Sequence, residues 1–545
     1  MVTYTNHTNA AGGDDHNNNN NNNNNDSSST ENFHGTGSGG SGRSSTSTSS
    51  SSSSNYCVWL VCSVMFLVSS VMVVAVFTIV SSSSSSSIAA WSPPFKFSAF
   101  KSAGTTTKTA TPPNISSSKS LAYYFIPNNI ISAAATTTLT ANATTTPPPD
   151  PHLPSPIILT RQEILERGLA KARAAIREAA ASHRNFSVTA FSAHIYRNPA
   201  AFFQSYAEME KRFKVYVYEE GELPIVHYGP CKNIYAIEGR FIHEMEHGGD
   251  RFRTRDPHSG HVYFMPFSVT WMVKYLYKPN TYNISPLKQF ASDYVRVISK
   301  NHPFWNRTQG ADHFMLSCHD WGPHASRGNP FLYNTSIRVL CNANSSEGFN
   351  PRKDVSLPEI QLYDGDVSSK IRNPPPANRS RPYLAFFAGG LHGPIRPILV
   401  QHWKGRDAAI RVYEYLPKGL DYYTFMLKSK FCLCPSGHEV ASPRIVEAIY
   451  AECVPVILSK HYVLPFSDVL RWEAFSIKVE ISEIPRLKEI LMAIPDDEYK
   501  RLKEGLRAVR RHFVLNHPAQ RFDMFHMILH SVWLRRLNFR LAQKL

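Results

Sequence analysis

Two residues in the stretch Phe431–Phe466, FCLCPSGHEVASPRIVEAIYAECVPVILSKHYVLPF, are of the right types and spacing to grip a nucleotide: Arg444 and Glu447. The stretch predicts a buried strand, a small-residue loop, a helix opening near Ser442 and a second buried strand, Val454–Leu458. In a parallel α/β sheet such a loop lies at the carboxyl end of a strand, beside a helix N-terminus that favours anions. Arg444 and Glu447 are three residues apart, on neighbouring positions of one helical face. Together they offer a cation for phosphate and a carboxylate for ribose hydroxyls. On pattern alone Glu447 fits an ordinary exposed helix position equally well.

A second anion loop is predicted in the same half. The strand Tyr383–Phe387 runs into AGGLHGPIR, with Gly389, Gly390 and, just inside a helix opening near Pro394, Arg396. Glycines let backbone N–H groups approach a phosphate, and they are also good turn residues. Farther upstream, CHDWGPH follows the strand HFMLS and places His319 and Asp320 at a strand's carboxyl end. That position suits proton transfer across a cleft, and it equally suits a loop held by Asp320 accepting backbone N–H bonds.

Two motifs point toward metals. His243-Glu244-Met245-Glu246-His247 fits the H-E-x-x-H pattern of zinc proteases, with His258 or His261 as a third ligand. Gly248-Gly249 ends that helix at once, so the zinc-protease reading stands only as a rival. Asp364-Gly365-Asp366 reads as a turn rather than a metal triplet, and Asp256 as a turn former. Cys432 and Cys434 are two apart on a strand and lack the companion pair of a zinc set.

The elements that must position these residues alternate in type. Strands are expected at 214–218, 261–264, 313–316 and 337–341. After a polar, Pro-rich linker at 366–381, further strands are expected at 383–387, 431–434, 454–458 and 475–479. This rhythm predicts an α/β protein with two Rossmann-like halves, 211–370 and 381–482, facing a cleft. Helices near 483–493, 496–513 and 519–541 close the chain. An amphipathic helix at 159–184 opens with a capping box, Thr160 and Glu163.

The first 158 of the 545 residues read differently. Residues 1–55 hold a nine-residue Asn run and Ser tracts, too polar to offset chain entropy by burial. Residues 56–80 carry no charge and, as a helix, would reach roughly 37 Å, enough to span a bilayer. A Ser/Thr/Pro-rich stem covers 81–158. Arg43 and Lys96 flank the apolar segment almost symmetrically, so charge does not decide its orientation. Eight Asn-x-Ser/Thr sites follow it (Asn114, Asn142, Asn185, Asn283, Asn306, Asn334, Asn344, Asn378), as do six of the eight cysteines, which suits a lumenal, oxidising compartment. Cys57 and Cys62 within the segment read as apolar filler.

Beyond residue 80 the chain carries 57 basic and 38 acidic groups. A surplus of that size suits an acidic partner, such as a polyuronide or an anionic nucleotide-sugar. The basic residues crowd the last helices, where a solvated basic face is an equal reading. Nucleic acid is a poor match for a membrane-anchored lumenal body.

Taken in order, FKVYVYEE, YAIEGRFIHEM, FRTRDPHSGHVYFMPFS, GADHFMLSCHDWGPHAS, RPYLAFFAGG, the Phe431–Ser459 segment and VLPFSDVL resemble the exostosin-type glycosyltransferase family in its plant form, over about residues 211–535. The resemblance implies a type II Golgi membrane protein of GT-B-like architecture that inverts configuration while transferring a sugar from a nucleoside diphosphate, usually without a bound metal. It implies that Gly389, Gly390, Arg396, Ser442, Arg444 and Glu447 bind the donor in the C-terminal half, with Glu447 holding the ribose. The catalytic base would come from the acceptor half, Asp320 first and His319 second. It also absorbs His243–His247 into a family helix. One branch with this layout adds xylose to pectic galacturonan. No cofactor is expected, and oligomers with other glycosyltransferases are an open partnership. A catalytically silent polysaccharide-binding scaffold is the second reading. Glu452 departs from the family, which commonly has glycine before the last cysteine and strand.

Overall fold

The computed structural model describes residues 159–182 and 193–539. The expected polar tail, membrane anchor and stem lie outside the described residues. Among those described, no helix is long and apolar enough to cross a membrane.

Two parallel sheets form as the alternation predicts. The first has the order β2-β1-β3-β4-β5-β6, with β1 Val215–Val217, β2 Arg253–Thr254, β3 Val262–Phe264, β4 His313–Ser317, β5 Ile337–Leu340 and β6 Val355–Ser356. The second has the order β11-β10-β9-β7-β8, with β7 Tyr383–Ala388, β8 Ile410–Tyr413, β9 Ser429–Pro435, β10 Val454–Leu458 and β11 Ile477–Lys478. The central strands are buried along their length, as strands covered on both faces must be. The fold is therefore α/β with two parallel sheets.

Three strands escaped the sequence reading. β2 and β6 are two residues long, too short to show a period. β8 is an edge strand whose Ile410 and Val412 are buried while Arg411 and Tyr413 are half-exposed. The expected strand at 475–479 shrinks to two residues because a 3-10 turn, Trp472–Ala474, precedes it.

The closing helices also differ from expectation. Asp496–Val509 packs beside β10, whereas Met524–Asn538 returns to the first sheet and lies against β5 and β6. Arg535 there donates to the Asp354 carbonyl at 2.8 and 3.0 Å and pairs with Asp468 at 2.6 Å, and Arg536 donates to the His261 carbonyl at 2.8 Å. The first helix, Arg161–Ala181, is capped as predicted and buries Leu169 and Ala172. Its Arg173 donates to the Leu537 and Phe539 carbonyls at 2.7 and 2.9 Å. Many of the C-terminal arginines are thus fasteners rather than a solvated basic face.

Glu452 adopts φ +48°, a conformation that glycine takes without strain. Its buried carboxylate accepts two bonds from Arg507 Nε at 3.1 Å and one from Nη2 at 2.9 Å, with Lys503 3.8 Å away. The turn keeps its shape because the side chain is anchored.

Candidate active site

In the second sheet the chain leaves β7 toward β8 on one side and returns to β9 on the other. The carboxyl ends of β7 and β9 therefore border a topological switch point, where open α/β sheets hold ligands. β7 delivers the Gly389–Gly393 loop and the helix Ile395–Trp403; β9 delivers the loop to Ser442 and the helix Arg444–Tyr450. Gly393 has φ +70°, and a Cβ there would overlap the Gly437 carbonyl, so the two loops touch only because both are bare of side chains.

Two arginines converge under these loops. Arg444 Nη2 donates to the Ala388 carbonyl at 2.8 Å, Nη1 approaches Ser442 Oγ at 3.4 Å, and the guanidinium lies 4.7 Å over the Phe387 ring. A Cβ on Gly389 would stand 2.9 Å from Nη2, so glycine makes room for this cation. Arg396 Nη1 donates to the Gly390 carbonyl at 3.2 Å. Neither guanidinium has a carboxylate at salt-bridge distance among the described residues, and the buried Nε of each finds no acceptor there. Burial, then the neighbouring Arg444 charge, push Arg396 down to about 10. Buried Arg444 and half-buried Arg396 have carboxylates, Glu447 and Glu359, acting on them only from beyond salt-bridge distance, so the pair forms a cradle that an anion would complete.

Glu447 sits behind Arg444, buried, accepting from the Tyr423 and Tyr422 hydroxyls at 2.9 and 3.2 Å. Burial raises its carboxyl against those two bonds and the Arg444 charge. It is not the exposed helix residue that pattern alone allowed.

The facing wall is built from the carboxyl ends of β4, β5 and β6. A disulfide, Cys318–Cys341, ties the ends of β4 and β5, with Cα atoms 4.6 Å apart. Fully buried Glu238 accepts from five donors: Ser268 Oγ (2.5 Å), Cys318 N (2.8 Å), Thr270 N and His319 N (3.0 Å each) and Ser317 Oγ (3.1 Å). This carboxylate sets the course of the 317–321 loop. Glu238→Ala would strand those donors in the core, and about 3–5 kcal/mol of stability should be lost, readable as a fall in the denaturant midpoint.

His319 is engaged within the loop that carries it. Its Nδ1 accepts the Trp321 backbone N–H at 3.1 Å, its ring packs 4.7 Å from Tyr235, and burial holds it down to about 3. The neutral ring has its one lone pair engaged and holds the loop. Asp320, half-buried, accepts from the Tyr235 hydroxyl; burial is the largest influence, Glu347 adds to it, and the carboxyl rises to about 6.

Further carboxylates that the sequence reading missed meet Asp320 here. Asn342 Nδ2 donates to the Asp320 carbonyl and to Glu347 Oε2 at 3.3 Å each, and also to Glu439 Oε2 across the cleft. Burial and then Asp320 lift Glu439 to about 8. Glu359, 6% exposed, has no hydrogen-bond partner among the described residues. It feels the charges of Asp320, Glu439, Glu447 and Arg396, and burial first and Asp320 next raise it well above the carboxylate range. A lone glutamate inside the apolar run VSLPEIQL was the signal that could have found it.

The remaining motifs resolve as structure. His243 and His247 stack at 4.6 Å on the helix Ile237–His247, while Glu244 accepts the Ala519 N–H at 3.1 Å and pairs with His517 at 3.4 Å. His261 instead accepts the Lys214 N–H at 3.2 Å, and His258 packs on Phe304 at 5.2 Å. Among the described residues no His/Cys/Asp/Glu group is gathered to hold a metal. Asp364–Asp366 is a turn around Gly365 at φ +82°. Cys432 pairs with Cys453, and Cys434 and Cys231 are free.

A Rossmann-type switch point carrying paired arginines, opposite a carboxylate-lined wall, defines the class of proteins that handle nucleotide-activated groups between two α/β halves. The family model described as the exostosin GT47 domain matches residues 209–494. A probable glycosyltransferase of Arabidopsis thaliana is 64% identical over 393 residues, 71% of this chain and 81% of that one. A probable beta-1,4-xylosyltransferase of Arabidopsis thaliana is 30% identical over 51% of this chain and 71% of its own. A probable glucuronosyltransferase of Oryza sativa subsp. japonica is 28% identical over 59% and 77%. The solved structure of TarM overlaps 45% of this chain and 57% of its own at 11% identity and a TM-score of 0.24, too slight a likeness to inform the fold. The chain belongs to the plant exostosin GT47 family and is a glycosyltransferase.

Proposed function

We propose that this chain transfers a sugar, with inversion, from a nucleoside diphosphate to a cell-wall polysaccharide in the Golgi lumen, on a scaffold of GT-B type. The observation that carries this reading is the pair of arginines, buried Arg444 and half-buried Arg396, with no carboxylate at salt-bridge distance among the described residues and with Glu359 acting on Arg396 from the other half. The diphosphate lies against the arginines, with Gly389 and Gly390 allowing close approach and Ser442 beside Arg444. Glu447 takes the ribose hydroxyls with lone pairs that Tyr422 and Tyr423 leave open.

Asp320 accepts the proton of the acceptor hydroxyl, whose oxygen attacks the anomeric carbon as the bond to the diphosphate breaks. Arg396 and Arg444 stabilise the charge on the leaving group, so turnover should survive excess chelator. Asp320, near 6, is ionised at neutral pH, whereas Glu439, near 8, keeps its proton and can donate to a sugar oxygen. kcat/KM should therefore rise with pH through about 6 as Asp320 ionises and fall above about 8 as Glu439 does. A profile flat from pH 5 to 9 would remove both residues from these roles.

The finer reading is xylose transfer to a pectic galacturonan. Its support is the 57-to-38 basic surplus beyond residue 80 and a relative named for xylosyl transfer. Type II anchoring through residues 56–80 is supported by that uncharged run and by two disulfides in the body. Of the sequons, Asn344 is buried and caps a turn, which makes it a poor glycan acceptor. Oligomers with other glycosyltransferases belong to the same proposal.

A further inference from the structure

The helix Val269–Leu276 lies along the rim of the acceptor-side wall. Its first turn is tied to the catalytic loop, since Thr270 N donates to the same Glu238 carboxylate that holds Cys318 N and His319 N. Just past its end, the Tyr277 ring packs edge-on against Trp321 at 4.8 Å, one residue after Asp320. With both ends fixed to one loop, the helix is about 12 Å long.

Its outer side is aromatic. Trp271 stacks with Tyr228 at 6.2 Å and meets Tyr275 edge-on at 6.0 Å, and Tyr228 and Tyr275 are 51% and 50% exposed. Lys274 Nζ stands 4.5 Å over the Trp271 ring and 5.2 Å over that of Tyr275, with no carboxylate at salt-bridge distance among the described residues. Rings this exposed cost free energy in water unless something covers them, and a contiguous set marks a binding surface.

We propose that this rim is an acceptor subsite that holds uronate-bearing polysaccharide, stacking a sugar ring on Tyr275 and pairing a uronate carboxylate with Lys274, both held in place by Trp271. The inference rests on the transferase reading and adds to it a place for the acceptor chain beyond the reacting hydroxyl. Sugar rings present flat C–H faces to aromatic faces while their hydroxyls stay wet, which fits a surface of aromatic planes with polar tips. Lys274 supplies the charge complementarity that selects uronate over a neutral sugar. The Tyr277–Trp321 contact fixes the end of this helix to the loop that carries Asp320.

The test uses the full-length protein in detergent, with oligogalacturonate and an uncharged xylan oligosaccharide as saccharide probes and UDP and GDP as nucleotide probes. Tyr275→Ala and Lys274→Gln change exposed side chains and leave the core intact. Tyr275→Ala should weaken oligogalacturonate binding by about tenfold. Lys274→Gln should remove the preference over xylan and most of the salt dependence, with nucleotide binding unchanged throughout. Unaltered oligogalacturonate affinity in Tyr275→Ala and Lys274→Gln overturns the inference alone. So does a shift in oligomeric state with saccharide binding intact, which would assign the rim to a second copy. Failure of the wild type to bind either nucleotide would overturn the transferase reading, and the inference with it.

Discussion

Replacing Arg444 by alanine is expected to lower kcat by about 10²–10³-fold and to abolish nucleoside-diphosphate binding at micromolar concentration. The guanidinium is the best-enclosed cation of the site, seated on Phe387 and fixed by the Ala388 carbonyl, with Nε left over. Arg396 alone would face a diphosphate across a gap that the shorter side chain opens. Arg444→Lys should recover only part of the loss, because a compact ammonium cannot reach the Ala388 carbonyl and a phosphate in the same plane. The nucleotide-free variant should melt below wild type, because truncation removes the contacts to the Ala388 carbonyl and the Phe387 ring and leaves buried Glu447 without the neighbouring charge. What should vanish is the rise in melting temperature on adding nucleotide. Calorimetric binding and a thermal shift measured together check this, and a normal nucleotide-induced shift in Arg444→Ala would move the phosphate site elsewhere.

Asp320→Asn should cost about 10²–10⁴-fold in kcat while leaving nucleotide affinity within about threefold, because the side chain faces the acceptor and not the diphosphate. The same change should erase the rise in kcat/KM through about pH 6, the signature of its raised carboxyl. A merely structural role would lower activity at every pH alike. Turnover equal to wild type would remove Asp320 from the base role.

Much of this site was legible because its donor half is written in local sequence. Arg396 and Arg444 each follow a strand and a small-residue loop, so the switch-point geometry could be foreseen at both places. The apolar run Val454–Leu458 was read to the residue because a strand buried on both faces needs no alternation. The acceptor wall was not legible in the same way. Asp320, Asn342, Glu359 and Glu439 come from four separate segments and acquire their character only when folding brings them together. The bond from the Trp321 N–H to His319 could not be read from the sequence either. The return of Met524–Asn538 to the first sheet was likewise hidden, since an apolar helix does not say which half will bury it.

The most direct measurement is product formation by the full-length protein offered a panel of nucleoside-diphosphate sugars with a galacturonan acceptor, with anomeric configuration followed by NMR. The account predicts acceptor-dependent release of one nucleoside diphosphate, a product of inverted configuration, and loss of both in Arg444→Ala and Asp320→Asn. Nucleotide-sugar binding without transfer to that or any other cell-wall polysaccharide would contradict it, and would leave a silent polysaccharide-binding relative in its place.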